Sequence, residues 1–158
     1  MSGTPPPPAP PFYDATHLAP EDSVGYLMRK VITSIRSQVD AGLAAHGLTY
    51  TQWLPLFKLS LCQTSTTVAG LARELETDPA AMTRVLDRLE AKGLVRRERA
   101  THDRRVVQLA LTPAGQAMAA QVPPVLASVL NAHLSDFTHE EWQLLLRLLR
   151  RMLANGSA

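Results

Sequence analysis

The chain has 158 residues, which is long enough for one domain with its own hydrophobic core. Hydrophobic residues make up 46% of it and aromatic residues only 5%, a composition that favours helices packed on helices and few strands. The single cysteine, Cys62, excludes an intrachain disulfide framework and is typical of a reducing compartment. The sequence has no apolar run near the roughly 18 residues that span a bilayer and no signal peptide pattern. We therefore expect a soluble, cytoplasmic protein.

Positive charge is concentrated in one segment of the chain. The formal net charge is only +2, but residues 84–105 hold eight basic and four acidic residues, so the remainder is slightly acidic. A basic segment on an acidic body indicates a polyanionic partner that contacts one face of the protein. A solvated charged surface is the alternative interpretation.

The first predicted elements are an arm and a long helix. Six prolines lie among the first eleven residues, so residues 1–20 are predicted to form a disordered or polyproline-like arm, or to lie across a dimer partner. From Glu21 onward, apolar residues recur at three- and four-residue steps. This spacing predicts an amphipathic helix that stops near His46-Gly47.

A second helix is predicted to begin after Gly47. Thr49 and Gln52 have the spacing of a capping box, in which each side chain satisfies a backbone N–H at the helix start. Pro55 lies inside this helix and must remove one of its backbone hydrogen bonds.

Two short helices separated by a tight turn at residues 76–78 come next. In the second of them, Asp78 suits the N-cap and Pro79 suits the first helical position, where a missing N–H costs little. This helix is expected to end at Gly93, which can adopt the left-handed conformation that follows a helix. Two short helices joined by such a turn predict a helix-turn-helix.

The remaining segments predict a β-hairpin and two more helices. Residues 94–99 and 105–111 have the alternation of two strands with one buried face. A helix begins at Thr112-Pro113 and is kinked or restarted at Pro123-Pro124, and a capping box at Thr138 and Glu141 begins the last helix. The predicted fold is mainly α, a winged helix-turn-helix with a two-stranded β-hairpin wing and an α-helical dimerisation region.

The second helix of a helix-turn-helix, the recognition helix, lies in the major groove of DNA. There Arg84 can donate two hydrogen bonds to a guanine, Thr83 can bond a base or a phosphate, and alanines can contact a thymine methyl. Asp87 is expected to orient Arg84 or Arg88, and the basic hairpin tip suits a phosphate backbone or a minor groove. The candidate DNA-contacting residues are Thr67, Ala80, Ala81, Thr83, Arg84, Arg88, Asp103, Arg104 and Arg105.

Three runs of sequence, residues 83–97, 103–105 and 111–115, together resemble the MarR family of winged-helix regulators. The resemblance covers about residues 21–153. It implies a homodimer joined through its first and last two helices, with residues 21–48 and 113–154 as the dimerisation region. Residues 49–112 would form the DNA-binding domain, with Asp103 and Arg105 as the wing signature. It also implies that the protein binds a near-palindromic operator, usually as a repressor, and releases this DNA in response to a small aromatic acid or an oxidant.

The effector site is predicted less directly. Arg29, Tyr50 and Trp53 could bind a hydroxybenzoate- or hydroxynicotinate-like acid, with the arginine pairing with the carboxylate and the rings stacking. The alternative is that Trp53 belongs to the core and Arg29 is solvated. Cys62 could sense an oxidant, but the resemblance places the reactive cysteine of hydroperoxide sensors at the start of the first helix, so we expect a small buried hydrophobe.

Other classes of function remain as alternatives. The histidine spacing predicts no metal site, and no catalytic arrangement can be identified, so we expect neither a cofactor nor an enzyme. A ligand-independent architectural DNA-binding protein, a redox-responsive repressor acting through Cys62 and an unrelated helical interaction module compete with a ligand-responsive repressor.

Overall fold

A computed structural model of the chain describes residues 11–62, 66–99 and 106–156. It divides into two compact units, residues 1–34 and 35–158. The described part contains seven α-helices and one antiparallel hairpin, which confirms the predicted fold class. The helices are α1 Val24–Leu43, α2 Tyr50–Leu61, α3 Val68–Glu74, α4 Pro79–Ala91, α5 Pro113–Ala119, α6 Val122–His133 and α7 His139–Gly156, and the strands are β1 Val95–Arg99 and β2 Val107–Leu111.

The described part of the first unit comprises residues 11–34. The Tyr13 hydroxyl accepts a hydrogen bond from the Val24 N–H at 2.9 Å and lies 3.3 Å from the Asp22 carbonyl oxygen, to which it donates. Since the first N–H groups of a helix have no partner within it, Tyr13 supplies one for α1. Residues 13–23 thus have defined hydrogen bonds where the composition predicted an irregular arm. Residues 1–10 of that arm lie outside the described residues.

In the second unit, the end of α1 enters the core, where Val39 and Leu43 are fully buried. A single 3-10 turn follows, and Gly47 ends it with a φ of 68°, which confirms the predicted stop. The predicted capping box at Thr49 and Gln52 is wrong. Thr49 occupies the N-cap position but makes no side-chain capping bond, because its hydroxyl lies 3.1 Å from that of Thr51 and Gln52 bonds elsewhere.

The helix-turn-helix is formed by α3 and α4, as predicted. Thr67 caps α3 by accepting from the Gly70 N–H at 3.1 Å, and Asp78 caps α4 by accepting from the Ala81 N–H at 2.8 Å. Between them, Glu76 has a φ of 49°, in the left-handed region that favours glycine. Buried side chains of these helices, including Leu71, Ala72, Met82, Leu86 and Leu89, join those of α2 and the hairpin in one hydrophobic core.

The hairpin pairs Val95 with Leu111 and Arg99 with Val107 at its two ends. Its buried face carries Val95 and Leu109, which confirms the alternation seen in the sequence. The Leu109 N–H also donates to the Thr66 carbonyl at 2.8 Å, so the segment before α3 pairs with the wing. Residues 100–105, the predicted tip, lie outside the described residues.

The segment after the hairpin forms three helices, which begin near the predicted starts at Thr112-Pro113, Pro123-Pro124 and Thr138. One helix ends at Ala119 and the next begins at Val122, so the chain restarts at Pro123-Pro124 as expected. The capping box of α7 is confirmed, because the Thr138 N–H donates to Glu141 Oε2 at 2.8 Å and the Glu141 N–H donates to Thr138 Oγ1 at 3.2 Å. These bonds hold the pKa of the Glu141 carboxyl below its usual value. No helix of the described residues is long and apolar enough to span a bilayer.

Candidate nucleic-acid interface

One face of α4 is exposed along its whole length. Because Met82, Leu86 and Leu89 are buried, the 3.6-residue repeat turns the intervening positions toward solvent. The candidate residues Ala80, Thr83, Arg84 and Arg88 are exposed, together with Asp87, while Ala81 is half-buried.

The Thr83 hydroxyl already has a partner in the protein. It donates to the Pro79 carbonyl oxygen, 2.9 Å away and one turn earlier. With its hydrogen used in this way, the oxygen presents lone pairs to the exterior. Thr83 can therefore accept a hydrogen bond from a base amino group, while its methyl group remains free for an apolar contact.

Arg84 and Arg88 differ from Arg96 and Arg97 on β1, which pair with acidic side chains. Within the described residues, neither makes a hydrogen bond, an ion pair or a ring contact. Both carry a permanent positive charge and a fork of donors suited to guanine or phosphate. The exposed face of α4 thus retains its full capacity to bind an anion.

Asp87 pairs with an arginine that the sequence did not indicate. Arg97 Nη2 on β1 donates to Asp87 Oδ1 at 2.7 Å, and Arg97 Nη1 and its backbone N–H donate to Glu90. The hydrogen bond to Asp87, followed by the negative charge of Glu90, raises the pKa of the Arg97 guanidinium. The prediction that Asp87 orients Arg84 or Arg88 is therefore wrong. Asp87 and Glu90 are three residues apart and therefore lie on the same face of α4. This spacing indicates that both can bind one basic side chain.

The ion pairs redistribute the charge of the basic segment. Arg96 Nε pairs with Glu98 Oε1 at 2.6 Å along β1, and Arg97 is balanced by α4. This confirms the expectation that some of Arg96, Arg97 and Arg99 would pair with Glu90 or Glu98. Within the described part of this segment, the arginines without an acidic partner are consequently Arg84 and Arg88 on the recognition helix and Arg99 at the end of β1.

Replacing Arg97 with glutamine should loosen the hairpin from α4. The Arg97 side chain is about a quarter exposed and its acidic partners more so, which limits the expected loss to about 1 kcal/mol of unfolding free energy at low salt. The loss should shrink in 1 M salt, where the Debye length is about 3 Å. Urea denaturation at both salt concentrations tests this, with Arg99→Gln as the control, and equal stability of the two variants at low salt would contradict it.

The start of α3 holds the other described candidate, Thr67. Its hydroxyl oxygen accepts from Gly70, which leaves the hydroxyl hydrogen available for an outside acceptor such as a phosphate oxygen. Behind it, Lys58 of α2 pairs with Glu74 at 2.6 Å and ties α3 to the preceding helix. The other candidates, Asp103, Arg104 and Arg105, lie outside the described residues.

The three predicted effector-binding residues lie in different units. Arg29 is in the first unit, with its guanidinium 5.2 Å from the centre of the Tyr26 ring. In the second unit, Trp53 is only 4% exposed and its indole N–H donates to Asp40 Oδ1 at 3.2 Å. The Tyr50 ring packs edge-on against Trp53 and lies under the Arg36 guanidinium, 3.6 Å from its centre. Trp53 is thus a core residue, as the alternative interpretation held, and the assignment of an effector to these residues stays a prediction.

A cavity of about 670 Å³ opens in the second unit, between the end of α2, the hairpin and the junction of α5 with α6. Cys62 lies in its wall and is half-buried, so it is less enclosed than the buried position predicted for it. The wall is mostly apolar, with Arg96 and Gln116 among its polar members. The sequence did not reveal this cavity, because its lining comes from segments far apart in the chain.

A helix-turn-helix followed by a hairpin defines a winged-helix DNA-binding protein. The model of the MarR family matches residues 48–107. The chain is 32% identical to the transcriptional regulator PA3341 of known structure, over 85% of this chain and 98% of that one, with a TM-score of 0.78. The chain therefore belongs to the MarR family and is a DNA-binding transcriptional regulator.

Two further solved structures support this assignment. A mutant MarR from E. coli complexed with operator DNA is 28% identical over 82% of this chain and 93% of that one, with a TM-score of 0.75. A MarR-family transcriptional regulator from Silicibacter pomeroyi is 26% identical over 90% of this chain and 96% of that one, with a TM-score of 0.74. Both cover the helices on either side of the matched segment as well as the winged helix.

Proposed function

We propose that this regulator is a homodimeric repressor that binds a near-palindromic operator and releases it when a small aromatic acid binds. The observation that carries the proposal is the exposed face of α4, where Arg84 and Arg88 have no protein partner among the described residues. The neighbouring Arg96 and Arg97 are neutralised by acids. Two of the three arginines that remain unpaired in the described part of this segment, Arg84 and Arg88, lie where a recognition helix meets DNA.

Each candidate residue has a role that follows from its chemistry. Arg84 donates to a guanine edge, and Thr83 accepts from an adenine or cytosine amino group because its hydrogen is used by Pro79. Arg88 and Thr67 bind phosphates, which fixes the protein on the duplex. Ala80 and Ala81 allow close approach to thymine methyl groups. At the wing, Asp103 orients Arg104 or Arg105, whose guanidinium enters the minor groove.

The homodimer is proposed from apolar side chains that the chain leaves exposed. In the first unit, Leu27, Val31 and Ile32 on α1 are each about half exposed. In the second unit, α7 has no buried residue, and Leu144, Leu148, Met152 and Leu153 are exposed along it. Exposed apolar side chains that line one helix in this way mark a protein interface. A second copy of the chain covers them, in line with a dimerisation region at residues 21–48 and 113–154.

A near-palindromic operator follows from the dimer. Two recognition helices related by a two-fold axis read the same bases on opposite strands, one or more helical turns apart. A relative of this chain has been solved with its operator DNA, which supports the same mode of binding here.

The cavity in the second unit supports the proposal that the protein binds a small effector. Its volume of about 670 Å³ lies in the range of small-molecule sites, and its apolar wall with a few polar groups suits an aromatic acid. Arg96 lines it with Nε held by Glu98, so the terminal nitrogens can meet a carboxylate. Because β1, β2 and α5 all contribute to the wall, an occupant would contact the wing directly.

Operator release tests this function. Against a duplex selected from a random-sequence library, hydroxybenzoate or hydroxynicotinate at about 100 times its Kd should raise Tm by roughly 5–10 °C and release the DNA. In Ala120→Phe, which narrows the cavity, both effects should disappear, whereas in Arg29→Ala they should persist. Loss in Arg29→Ala alone would place the effector at Arg29, Tyr50 and Trp53 instead.

Two other outcomes lead to the competing functions. No effect of any aromatic acid on wild-type binding would contradict the repressor with an effector and favour a ligand-independent DNA-binding protein. Release by hydroperoxide that Cys62→Ser abolishes would favour the redox-responsive repressor, since Cys62 lines the same cavity.

A further inference from the structure

The C-terminal end of the recognition helix is held by a side chain that the DNA interface does not use. Lys92 is the C-cap of α4, and its amine donates to the Gly47 carbonyl oxygen at 2.7 Å and to Gln52 Oε1 at 2.9 Å. These acceptors precede it by 45 and 40 residues, with Gly47 in the turn between α1 and α2 and Gln52 in the first turn of α2. Gln52 is a buried polar residue, only 7% exposed. One side chain thus joins the end of α4 to the start of α2 and the turn before it.

The residues that follow α4 are also held by the start of α5. The Thr112 hydroxyl donates to the Gly93 carbonyl at 2.6 Å, and the Thr112 N–H donates to the Leu94 carbonyl at 3.1 Å. Gly115 packs so closely that a Cβ there would lie 1.9 Å from the Leu94 oxygen. The contact with α5 is made by backbone atoms and the short Thr112 side chain, whereas the hydrogen bonds to Gly47 and Gln52 both come from the flexible side chain of Lys92.

The position of Arg84 depends on how the C-terminal end of α4 is held. Arg84 lies eight residues before Lys92, about 12 Å along the helix axis. A swing of about 10° about the C-terminal end would displace Arg84 by about 2 Å, well beyond the roughly 0.5 Å within which a recognition geometry must be held. Lys92 has one acceptor, Gly47, in the turn between α1 and α2 and the other, Gln52, in the first turn of α2, so the start of α2 and the turn before it set the position of its amine.

We propose that Lys92 is a positioning residue for DNA recognition, which fixes the orientation of α4 by binding Gly47 and Gln52 and makes no contact with DNA. The proposal rests on the proposed function, in which Arg84 reads a base edge. It also identifies a route from the dimerisation helix α1 to the recognition helix, because Gly47 ends the single 3-10 turn that follows α1.

The competing role for a lysine beside a recognition helix is a phosphate contact, and salt dependence separates the two. A lysine that neutralises a phosphate adds about 0.9 to the slope of log K against log salt, whereas a positioning residue adds nothing. The partner residue separates them as well. Gln52 carries no charge, so its removal can weaken binding only through Lys92 and the helix end.

The test measures affinity for the selected operator and for an unrelated duplex from about 50 to 200 mM salt. Lys92→Met and Gln52→Leu should each weaken operator binding about 3- to 30-fold, leave the unrelated duplex unaffected and keep the wild-type salt slope. The double variant should lose no more than Lys92→Met alone, because Lys92→Met already removes both hydrogen bonds and Gln52→Leu removes one of the same two. Gln52→Glu, which keeps an acceptor for Lys92, should bind like the wild type.

A reduced salt slope in Lys92→Met would overturn the proposal in favour of a phosphate contact, and so would wild-type operator affinity in Gln52→Leu. If Lys92→Met does not fold, the Gln52→Leu and Gln52→Glu pair carries the test alone. Arg84→Ala is measured in parallel. If it weakens operator binding while Lys92→Met does not, only the Lys92 assignment fails, whereas unchanged binding in Arg84→Ala overturns the proposed function and this inference with it.

Discussion

Gly115→Ala is expected to lower the free energy of unfolding by about 3 kcal/mol, although alanine normally stabilises a helix by roughly 0.5–1 kcal/mol relative to glycine. The new Cβ would lie 1.9 Å from the Leu94 oxygen and 2.9 Å from the Leu94 carbonyl carbon. These are backbone atoms, which cannot rotate aside, and the same oxygen accepts the Thr112 N–H. Relief of the clash must move α5 away from the end of the recognition helix. Equilibrium urea denaturation measures the effect.

Gly25→Ala is the matched control for this substitution. Gly25 also lies in the first turn of a helix, but a Cβ at this position would have its nearest neighbour, Ser23 Oγ, 3.9 Å away. The stability of this variant should be unchanged or raised by up to about 1 kcal/mol. Comparable stability of the Gly25 and Gly115 variants would show that the close approach of α5 to Leu94 is not a feature of the folded protein.

Arg84→Ala is expected to weaken binding to the selected operator by about 1–3 kcal/mol and to relax the preference for one base in each half-site. The substitution removes the guanidinium that would donate two hydrogen bonds to a guanine. Among the described residues, this guanidinium has no partner within the protein. Arg105→Ala should weaken operator and unrelated DNA to a similar extent, because a wing contact to the minor groove carries less sequence information. Fluorescence anisotropy with both duplexes measures these losses.

Arg147→Ala serves as the control for charge alone. It removes one positive charge from α7, outside the helix-turn-helix, and should leave the operator preference intact. An Arg84 variant that binds operator and unrelated DNA like the Arg147 variant would contradict the assignment of α4 as the reading element.

The features that the sequence predicted well are determined within one helical turn. Asp78 caps α4, Gly93 adopts a φ of 69° after it, and Thr138 with Glu141 caps α7, because each depends on residues at most four positions apart. The hydrophobic face of α4 was predicted for the same reason, since its 3.6-residue period is a local property. The family and its winged helix followed from these elements in their order along the chain.

The features that the sequence missed depend on partners that folding brings together. Gln52 has the spacing of a capping box, but Lys92, 40 residues later, takes its oxygen. Asp87 has Arg84 one turn earlier and Arg88 next to it on its own helix, but the hairpin places the Arg97 guanidinium 2.7 Å from its carboxylate. In each case two partners are compatible with the local pattern, and the choice is made by the packing of α4 against other elements.

Contact between Arg84 and a base edge in the major groove can be tested by removing the acceptor from the DNA. In a series of operators, each guanine of the half-site is replaced in turn by 7-deazaguanine, which lacks the N7 acceptor. At one position, the replacement should weaken wild-type binding markedly and leave Arg84→Ala binding almost unchanged, because the donor is already absent. Equal losses for the wild type and Arg84→Ala at every guanine would contradict this contact.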